Sequence, residues 1–267
     1  MHWTEEFFVE HGKTYLKTLE SIRGRAVGQT EGVIKILNEH GFPKDGLILD
    51  LCCGIGRHSV LLTKKGYSVV GVDISPDFIK RAKEIADEEG VGDNCRFLLG
   101  DMRKLHEVLK GEQFNAVINM FSSLGYYDDP TEVEILKGVR EVTKPCGLLV
   151  IDAPNRDWII KNFSPINLDQ EGEGQMRFVV RTLNLETSVL ENNWTIFEKK
   201  GEDLKYLNSS MITHRILSLH EQIRFLKDAG WKYCEAYGDF ELNPFTLNSN
   251  QMITVSKKVG FSQLGHA

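Results

Sequence analysis

Three aspartates follow short apolar runs in the first hundred residues and could together bind a polar ligand. Asp50 and Asp73 end two such runs, and Asp101 follows a third after Gly100. A carboxylate at the end of a strand can accept hydrogen bonds from ribose hydroxyls or from an exocyclic amine. A single aspartate of this kind is often a helix cap or part of a turn. Three in succession indicate a ligand that carries several hydroxyl and amino groups.

A glycine-containing turn follows the first of these acids. It reads Cys52-Cys53-Gly54-Ile55-Gly56-Arg57-His58 and precedes a predicted helix. Glycine allows the backbone to approach a ligand closely, and a helix N-terminus offers free N–H groups to an anionic part of it. Dinucleotide fingerprints require a third glycine, where this chain has Ser59, and no G-K-[S/T] phosphate loop is present. The turn therefore favours a ligand other than NAD or ATP.

Three residues are candidates for the side of the site that binds a second substrate. His214 could act as a base, although a surface histidine on an edge strand is an equally good interpretation. Arg215 could bind a carboxylate through two hydrogen bonds or could be a solvated strand residue. Tyr126 follows the fourth predicted strand. The aromatic residues Trp3, Phe7 and Phe8 predict either core packing or a lid over the site.

The elements that must position these residues alternate between strand and helix. The predicted strands are 47–51, 67–72, 95–99, 115–119 and 148–152, and the predicted helices between them are 58–65, 76–89 and 131–142. This alternation predicts an α/β fold with a doubly wound, mostly parallel sheet whose ligands lie at the carboxyl ends of the strands. Two further helices, 4–22 and 31–40, precede the sheet.

The pattern changes after Pro154 and then returns. Residues 176–216 contain β-rich runs between polar turns and predict an inserted antiparallel subdomain of three or four strands. A helix over 219–229 and strands over 233–237 and 252–257 then complete the α/β pattern. The predicted domains are an N-terminal helical lid (1–45), an α/β core (46–153 and 217–258), the insertion (154–216) and a tail (259–267).

Residues 47–152 resemble the core of the class I S-adenosylmethionine-dependent methyltransferases, which have a seven-stranded Rossmann-like sheet. In the family's first motif an acid precedes alternate glycines, and here Cys52 replaces the first glycine. Asn115 stands where the family often has aspartate, and Cys146 replaces a glycine before the fifth strand. The resemblance implies that Asp73 binds the ribose and Asp101 the adenine of S-adenosylmethionine. The full cofactor site that it implies is Asp50, Cys52, Gly54, Gly56, His58, Asp73, Ile74, Asp101, Met102, Asn119 and Phe121.

The insertion resembles one branch of this family in its architecture. Small-molecule methyltransferases related to glycine N-methyltransferase carry an antiparallel sheet after strand five, and that sheet covers the substrate. The resemblance therefore implies methyl transfer to a small-molecule acceptor, with S-adenosylhomocysteine as the second product. An RNA or protein methyltransferase is the alternative, although Asn119-Met-Phe-Ser stands in place of the Asn/Asp-Pro-Pro-Tyr stretch of many such enzymes. A protein that binds the cofactor without catalysis is a further alternative.

Composition narrows the partners and the compartment. The chain has 267 residues, a net charge of −6 and a pI near 5.8, which argue against binding to nucleic acid. No signal peptide or run of about 18 apolar residues is visible. The five cysteines form no CxxC pair and suit a reduced, cytoplasmic protein. No metal site is predicted, and the sequence leaves both a monomer and a homodimer open.

Overall fold

A computed structural model describes residues 2–171 and 174–259 of the chain. Within them, a seven-stranded sheet forms the centre of the molecule, with strands labelled here in chain order. Its strands, in spatial order, are β10 (Trp231–Tyr237), β11 (Gln251–Lys258), β5 (Thr143–Pro154), β4 (Phe114–Asn119), β1 (Leu47–Leu51), β2 (Ser68–Asp73) and β3 (Cys95–Leu99). Strands β1 to β5 are parallel, whereas β11 runs antiparallel to both β5 and β10.

Helices cover both faces of this sheet. The α-helices of the described residues are α1 (Trp3–Glu5), α2 (Gly12–Ser21), α3 (Ala26–Glu39), α4 (Arg57–Lys64), α5 (Pro76–Glu88), α6 (Leu105–Leu109), α7 (Asp129–Glu141), α8 (Arg156–Lys161) and α9 (Leu219–Asp228). The side chains of α6, α7 and α9 pack on one face, and those of α3, α4 and α5 pack on the other. The central strands β1, β2 and β4 are buried on both faces over most of their length, which explains their apolar runs. The predicted doubly wound α/β fold is confirmed.

The N-terminal segment, residues 2–22, differs from the continuous helix that the sequence predicts. A π-helical turn over Glu6–Glu10 separates α1 from α2. The chain bends at His11, and α2 begins at Gly12, where a side-chain Cβ would lie 2.9 Å from the Ser75 hydroxyl, so that only glycine fits without a shift. The bend turns Phe7 and Tyr15 into the same buried cluster. Apolar spacing alone gave no sign of this interruption.

The insertion forms a second, four-stranded antiparallel sheet. Its strands are β6 (Ile166–Glu171), β7 (Gln175–Asn184), β8 (Val189–Lys200) and β9 (Asp203–Arg215), in that spatial order. The predicted inserted sheet is confirmed, but it begins about ten residues before the predicted start at 176, because the short polar sequence of β6 gave little strand signal. The inner face of this sheet turns toward the carboxyl ends of the parallel strands, and the outer face carries exposed apolar side chains.

Three other predictions concern the C-terminal tail, membrane-spanning segments and the domain boundaries. The predicted tail over 259–267 falls outside the described residues except for Val259. No helix in 2–171 or 174–259 combines the length and hydropathy needed to span a bilayer. The predicted domain boundaries remain a prediction.

Candidate functional site

A cavity of about 740 Å³ lies at the carboxyl ends of β1, β2 and β4. Ligands of open α/β sheets bind at this edge. The core strands and the loops after them form one wall, which we name the floor. The N-terminal segment and the inner face of the second sheet form the opposite walls, which we name the roof. The floor brings together eight of the predicted cofactor residues: Cys52, Gly54, His58, Asp73, Ile74, Asp101, Met102 and Phe121.

Asp73 is a buried acid on the floor, at the end of β2. Its carboxylate accepts the Gly54 N–H at 2.8 Å and the Ser75 N–H at 2.9 Å. Burial raises its pKa to about 6, against the opposing effect of these backbone donors. Ser75, and not Asp73, caps α5, since its hydroxyl accepts the Phe78 N–H. Asp73 is therefore a desolvated carboxylate beside the cavity, in a position that helix capping does not explain.

Asp101 also reaches the cavity, where it is paired with a neighbouring cation. The Arg103 guanidinium binds it through Nε at 2.9 Å and also donates to Glu5 at 3.2 Å. Although burial opposes the effect, Arg103 lowers the pKa of Asp101. The Arg103 guanidinium lies over the Tyr127 ring, 4.8 Å from its centre. This network links the third strand of the floor to the N-terminal segment.

Two predicted residues of the glycine turn support the turn and do not line the cavity. Asp50 is buried, and its carboxylate accepts the Ser59 hydroxyl at 2.6 Å. Burial raises the pKa of Asp50 to about 7. Gly56 caps α4 at φ +71°, and a Cβ there would lie 2.5 Å from the Phe97 ring. Both residues therefore fix the shape of the turn from behind.

Cys52 and Met102 place two sulfur atoms side by side on the floor. The Cys52 thiol lies 3.4 Å from the Met102 sulfur. Cys52 has φ +60°, the left-handed region in which glycine is usual, so the substituted cysteine keeps the backbone shape of a glycine turn. Burial raises the pKa of the thiol, which is neutral at physiological pH.

Cationic residues of the site escaped the sequence analysis. Arg57 lines the cavity with its guanidinium 4.6 Å from the centre of the Phe121 ring, and Arg25 lines the cavity from the N-terminal side. His58 also lines it, and its Nε2 donates to Gln29 at 3.0 Å. Since Gly56 is the N-cap, His58 does not cap α4. The adjacency of Arg57 to the glycine turn was the available signal for a cationic contact.

The loop of residues 120–127, which we name the β4 loop, lines the middle of the cavity. Phe121 and Ser122 both have φ +66°, a costly conformation for residues with side chains. Asp152 holds this bend: its carboxylate accepts the Phe121 N–H at 3.2 Å, and its carbonyl accepts the Ser122 N–H at 3.0 Å. Asn119 lies below the loop and donates to the Leu51 carbonyl at 3.0 Å. It joins β4 to β1 and is not among the residues that line the cavity.

Of the three predicted acceptor-side residues, the structure brings two to the cavity. Tyr126 and His214 both line it, with ring centres 5.4 Å apart. His214 is buried, although β9 is an edge strand, and burial lowers its pKa. Arg215 points to the other face of β9, because successive side chains of a strand alternate. There it binds Asp129 at 3.2 Å and Glu221 at 2.7 Å, outside the cavity lining.

The roof joins Phe7, a lid candidate of the sequence analysis, to a group of residues that the sequence analysis missed. Arg177 lies with its guanidinium 4.0 Å from the centre of the Trp194 ring and donates to Asp169 at 2.9 Å. The Trp194 ring in turn lies 5.7 Å from Phe7 and 5.6 Å from Tyr15. All five residues line the cavity. Alternation along β7 and β8 could have placed Arg177 and Trp194 on one face, but not which face is covered.

The arrangement suits an organic ligand with both polar and apolar parts. The floor offers carboxylates, backbone amides and two sulfur atoms, and the roof offers aromatic faces and one ion pair. A search of residues 2–171 and 174–259 finds no group of three or more His, Cys, Asp or Glu side chains that could hold a metal ion. The cavity therefore offers hydrogen-bonding groups on the floor and aromatic faces on the roof.

Comparison with known proteins gives the cavity a context. Residues 48–147 match a family model described as a methyltransferase domain. The chain is 31% identical to the glycine N-methyltransferase of Mus musculus over an alignment of 151 residues that covers 52% of this chain and 49% of that enzyme. It is 23% identical to the glycine/sarcosine N-methyltransferase of Parasynechococcus marenigrum over 90% of this chain and 80% of that one. A crystal structure of an S-adenosylmethionine-dependent methyltransferase from Clostridium acetobutylicum superposes with a TM-score of 0.75 and 16% identity, covering 87% of this chain and 92% of that one, a likeness of fold.

Proposed function

We propose that this chain, which belongs to the class I S-adenosylmethionine-dependent methyltransferases, methylates a small polar molecule, with amines as the first class of acceptor to test. One observation carries the proposal: the cavity at the strand ends is covered by a second sheet and by the N-terminal segment. This leaves a space of the size that suits small ligands, about 300–1,000 Å³. The glycine and sarcosine methyltransferases among its relatives act on amines, as their names state.

The residues of the floor fit S-adenosylmethionine in charge and chemistry. The desolvated carboxylate of Asp73 beside Gly54 suits the two hydroxyls of a ribose, and Asp101 suits an adenine amine. Ile74, Met102 and Phe121 offer apolar contacts to the base and the thioether chain. Arg57 and Arg25 are the cations that could bind the carboxylate of the methionine part of S-adenosylmethionine. When bound, the cofactor supplies a methyl group activated by a sulfonium.

The residues of the roof are proposed to bind and orient the acceptor. Trp194, Tyr15 and Phe7 form an aromatic wall, and Asp169 and Arg177 place one charge of each sign beside it. A cavity wall of this kind excludes water and aligns the acceptor, which is a large part of what methyl transfer requires. The paired charges favour an acceptor that is polar without a large net charge.

His214 is proposed as the group that takes the proton of the acceptor. Its Nε2 lies 2.7 Å from the Leu124 carbonyl, which can only accept, so Nε2 carries the hydrogen. Nδ1 is then the basic nitrogen of the neutral ring. Because burial lowers the pKa of His214, this nitrogen is unprotonated at neutral pH. A general base is needed when the acceptor is protonated at working pH, as amines are.

The test is transfer of label from S-adenosylmethionine carrying a radioactive methyl group. The purified chain is incubated with glycine, sarcosine and a panel of primary and secondary amine metabolites, with total RNA as the polymer alternative. The proposal expects label in a small-molecule fraction, and expects its loss in a His214→Gln variant that still binds S-adenosylhomocysteine. Label in RNA alone would overturn the proposal in favour of the polymer class.

A further inference from the structure

Glu132 is a buried acid that the proposed chemistry does not use. It lies in the first turn of α7, is 0% exposed, and is surrounded by Leu51, Leu124 and other apolar side chains. Burial raises its pKa to about 7. A carboxylate in such surroundings is costly unless other groups compensate for the lost water. The groups that it meets are backbone amides of the β4 loop.

Backbone amides of the β4 loop stabilise this carboxylate, of which Oε1 accepts a hydrogen bond and the buried Oε2 has no hydrogen-bond partner among the described residues. The Tyr127 N–H donates to Oε1 at 2.9 Å. The N–H groups of Gly125 and Tyr126 lie close enough to stabilise the ionised form and to lower its pKa against the effect of burial. Gly125 has φ +98°, and a Cβ there would lie 2.2 Å from the Arg215 carbonyl oxygen. The loop therefore passes between Glu132 and the end of β9 with no space to spare.

One peptide group of this loop has Glu132 on one side and His214 on the other. The carbonyl of Leu124 accepts the His214 Nε2–H at 2.7 Å. The N–H of the same peptide group belongs to Gly125, one of the loop amides that lower the pKa of Glu132 against burial, and the Tyr127 N–H two residues on makes the hydrogen bond to the carboxylate. In a trans peptide the C=O and N–H bonds point in opposite directions, so the group connects the two side chains. A negative charge on the N–H side polarises the peptide and makes its oxygen a stronger acceptor.

We propose that Glu132 is a positioning residue for His214, acting through the peptide group between Leu124 and Gly125. This inference rests on the proposed role of His214 as the base. Glu132 holds the loop so that the Leu124 carbonyl fixes the Nε2–H tautomer, and ionisation of Glu132 near pH 7 strengthens this hydrogen bond. In many enzymes a carboxylate orients a catalytic histidine by a direct hydrogen bond, and here one peptide group lies between the two side chains.

Other titratable groups lie near this relay and must be separated from it. Asp129 is on the same helix and raises the pKa of Glu132. It is itself paired with Arg215. The Cys52 thiol from the turn after β1 interacts with Glu132, and the Tyr126 ring packs on His214. Burial raises the pKa of both the Cys52 and Tyr126 groups, so both are neutral below pH 8 and do not titrate with the relay.

The test is nitrogen-15 NMR of the histidine rings in the whole, ligand-free chain between pH 5 and pH 8. Glu132→Gln removes the charge and keeps the shape and an acceptor oxygen for the Tyr127 amide. Glu134→Gln is the matched control, since Glu134 is exposed on the same helix. The His214 signal is assigned by its loss in His214→Gln. We expect the wild-type ring to be the Nε2–H tautomer, with nitrogen shifts that change as Glu132 titrates near pH 7. This step should be lost in Glu132→Gln and kept in Glu134→Gln.

A step near pH 7 that persists in folded Glu132→Gln, or that is absent from the wild-type ring, would overturn the inference. If that variant does not fold, the wild-type chain with carbon-13 glutamate gives the answer, because the His214 nitrogen shifts must change as the Glu132 carboxyl titrates. A Glu132 titration that leaves His214 unmoved contradicts the relay. In turnover of an amine identified by the label assay, Glu132→Gln should lower kcat on the order of tenfold, the worth of one charge-assisted hydrogen bond, at unchanged KM for S-adenosylmethionine. The NMR result does not depend on methyl transfer, so failure of the relay and failure of the proposed function are distinguishable.

Discussion

The floor and the roof of the cavity recognise ligands by different physical means. On the floor, Asp73 lies at a strand end with its oxygens fixed by the Gly54 and Ser75 amides. On the roof, the contacts run through ring faces, with Trp194 between Arg177, Phe7 and Tyr15. Fixed hydrogen-bonding groups suit one invariant ligand, whereas aromatic faces accept a range of shapes. On this difference rests our proposal that the floor holds the cofactor and that the roof selects the acceptor.

The largest expected effect is on the floor. Asp73→Ala should weaken binding of S-adenosylhomocysteine by roughly 10- to 100-fold, the loss expected when charge-assisted hydrogen bonds worth about 1.5–3 kcal/mol are removed. Titration calorimetry measures it, and Asp93→Ala, an exposed acid before β3, is the control. An unchanged dissociation constant for Asp73→Ala would contradict the proposal that Asp73 binds the ribose.

A smaller effect of the opposite kind is expected on the roof. Trp194→Ala should raise KM for the amine found in the label assay by about 3- to 10-fold, since aromatic and cation–π contacts are worth about 0.5–1.5 kcal/mol. Affinity for S-adenosylhomocysteine should stay within about twofold by the same reasoning. Trp194→Phe should restore most of the loss, and Tyr206→Ala, on the exposed outer face, should change neither constant. Equal losses of cofactor and acceptor binding would mean that the two walls are not separate in function.

A substitution of Arg215 distinguishes a role in stabilising the fold from a role in binding the acceptor. Its ion pairs with Asp129 and Glu221 tie the second sheet to the core, and its side chain is 14% exposed. Arg215→Ala should lower the free energy of unfolding by about 1–3 kcal/mol and leave KM for the acceptor unchanged. Urea denaturation measures the first and steady-state kinetics the second. Arg96→Ala, which breaks an exposed pair with Glu112, should cost less than about 1 kcal/mol. A rise in the acceptor KM without a loss of stability would instead show that Arg215 contributes to acceptor binding.

The smallest expected effect is a pH dependence of the free energy of unfolding, which arises from carboxyl groups buried in the core. Burial raises the pKa of Asp50 and of Glu132 to about 7, well above the range of an unfolded chain. The folded state therefore binds more protons than the unfolded state near pH 7, and stability must fall as pH rises through 7 toward 8.5. Because each group is already about half ionised at pH 7, the change between pH 7.0 and 8.5 is about 0.4 kcal/mol per carboxyl group. His58 and His214, whose pKa values burial lowers, act in the opposite direction, but only below the ordinary histidine range.

Urea denaturation of the ligand-free chain at pH 7.0 and 8.5 measures this slope. Glu132→Gln should reduce it, because the variant no longer titrates there, whereas Glu134→Gln should keep it. A stability that rises over this interval would show that the buried core carboxyls do not carry raised pKa values.

The sequence predicted the floor better than the roof, for a physical reason. Strand ends in a parallel sheet converge on one edge, so Asp73 and Asp101 could be placed together from their positions in the chain alone. The roles of Asp50 and Asn119 could not be separated in that way, because whether a strand-end side chain faces the cavity or the adjacent strand depends on packing. On the roof, contacts between Phe7, Trp194 and Arg177 join segments far apart in sequence. His214 and Arg215 are neighbours, and only the register of β9 decides which one faces the cavity.

Hydrogen–deuterium exchange with and without S-adenosylhomocysteine tests the division between floor and roof most directly. The account predicts slower exchange in the glycine turn over 52–58, after β2 over 73–78, and in the β4 loop over 120–127. Peptides from β7 and β8 should exchange as in the ligand-free chain. Protection confined to β7 and β8, with residues 52–58 and 73–78 unchanged, would contradict the claim that the cofactor is held by the strand ends of the core.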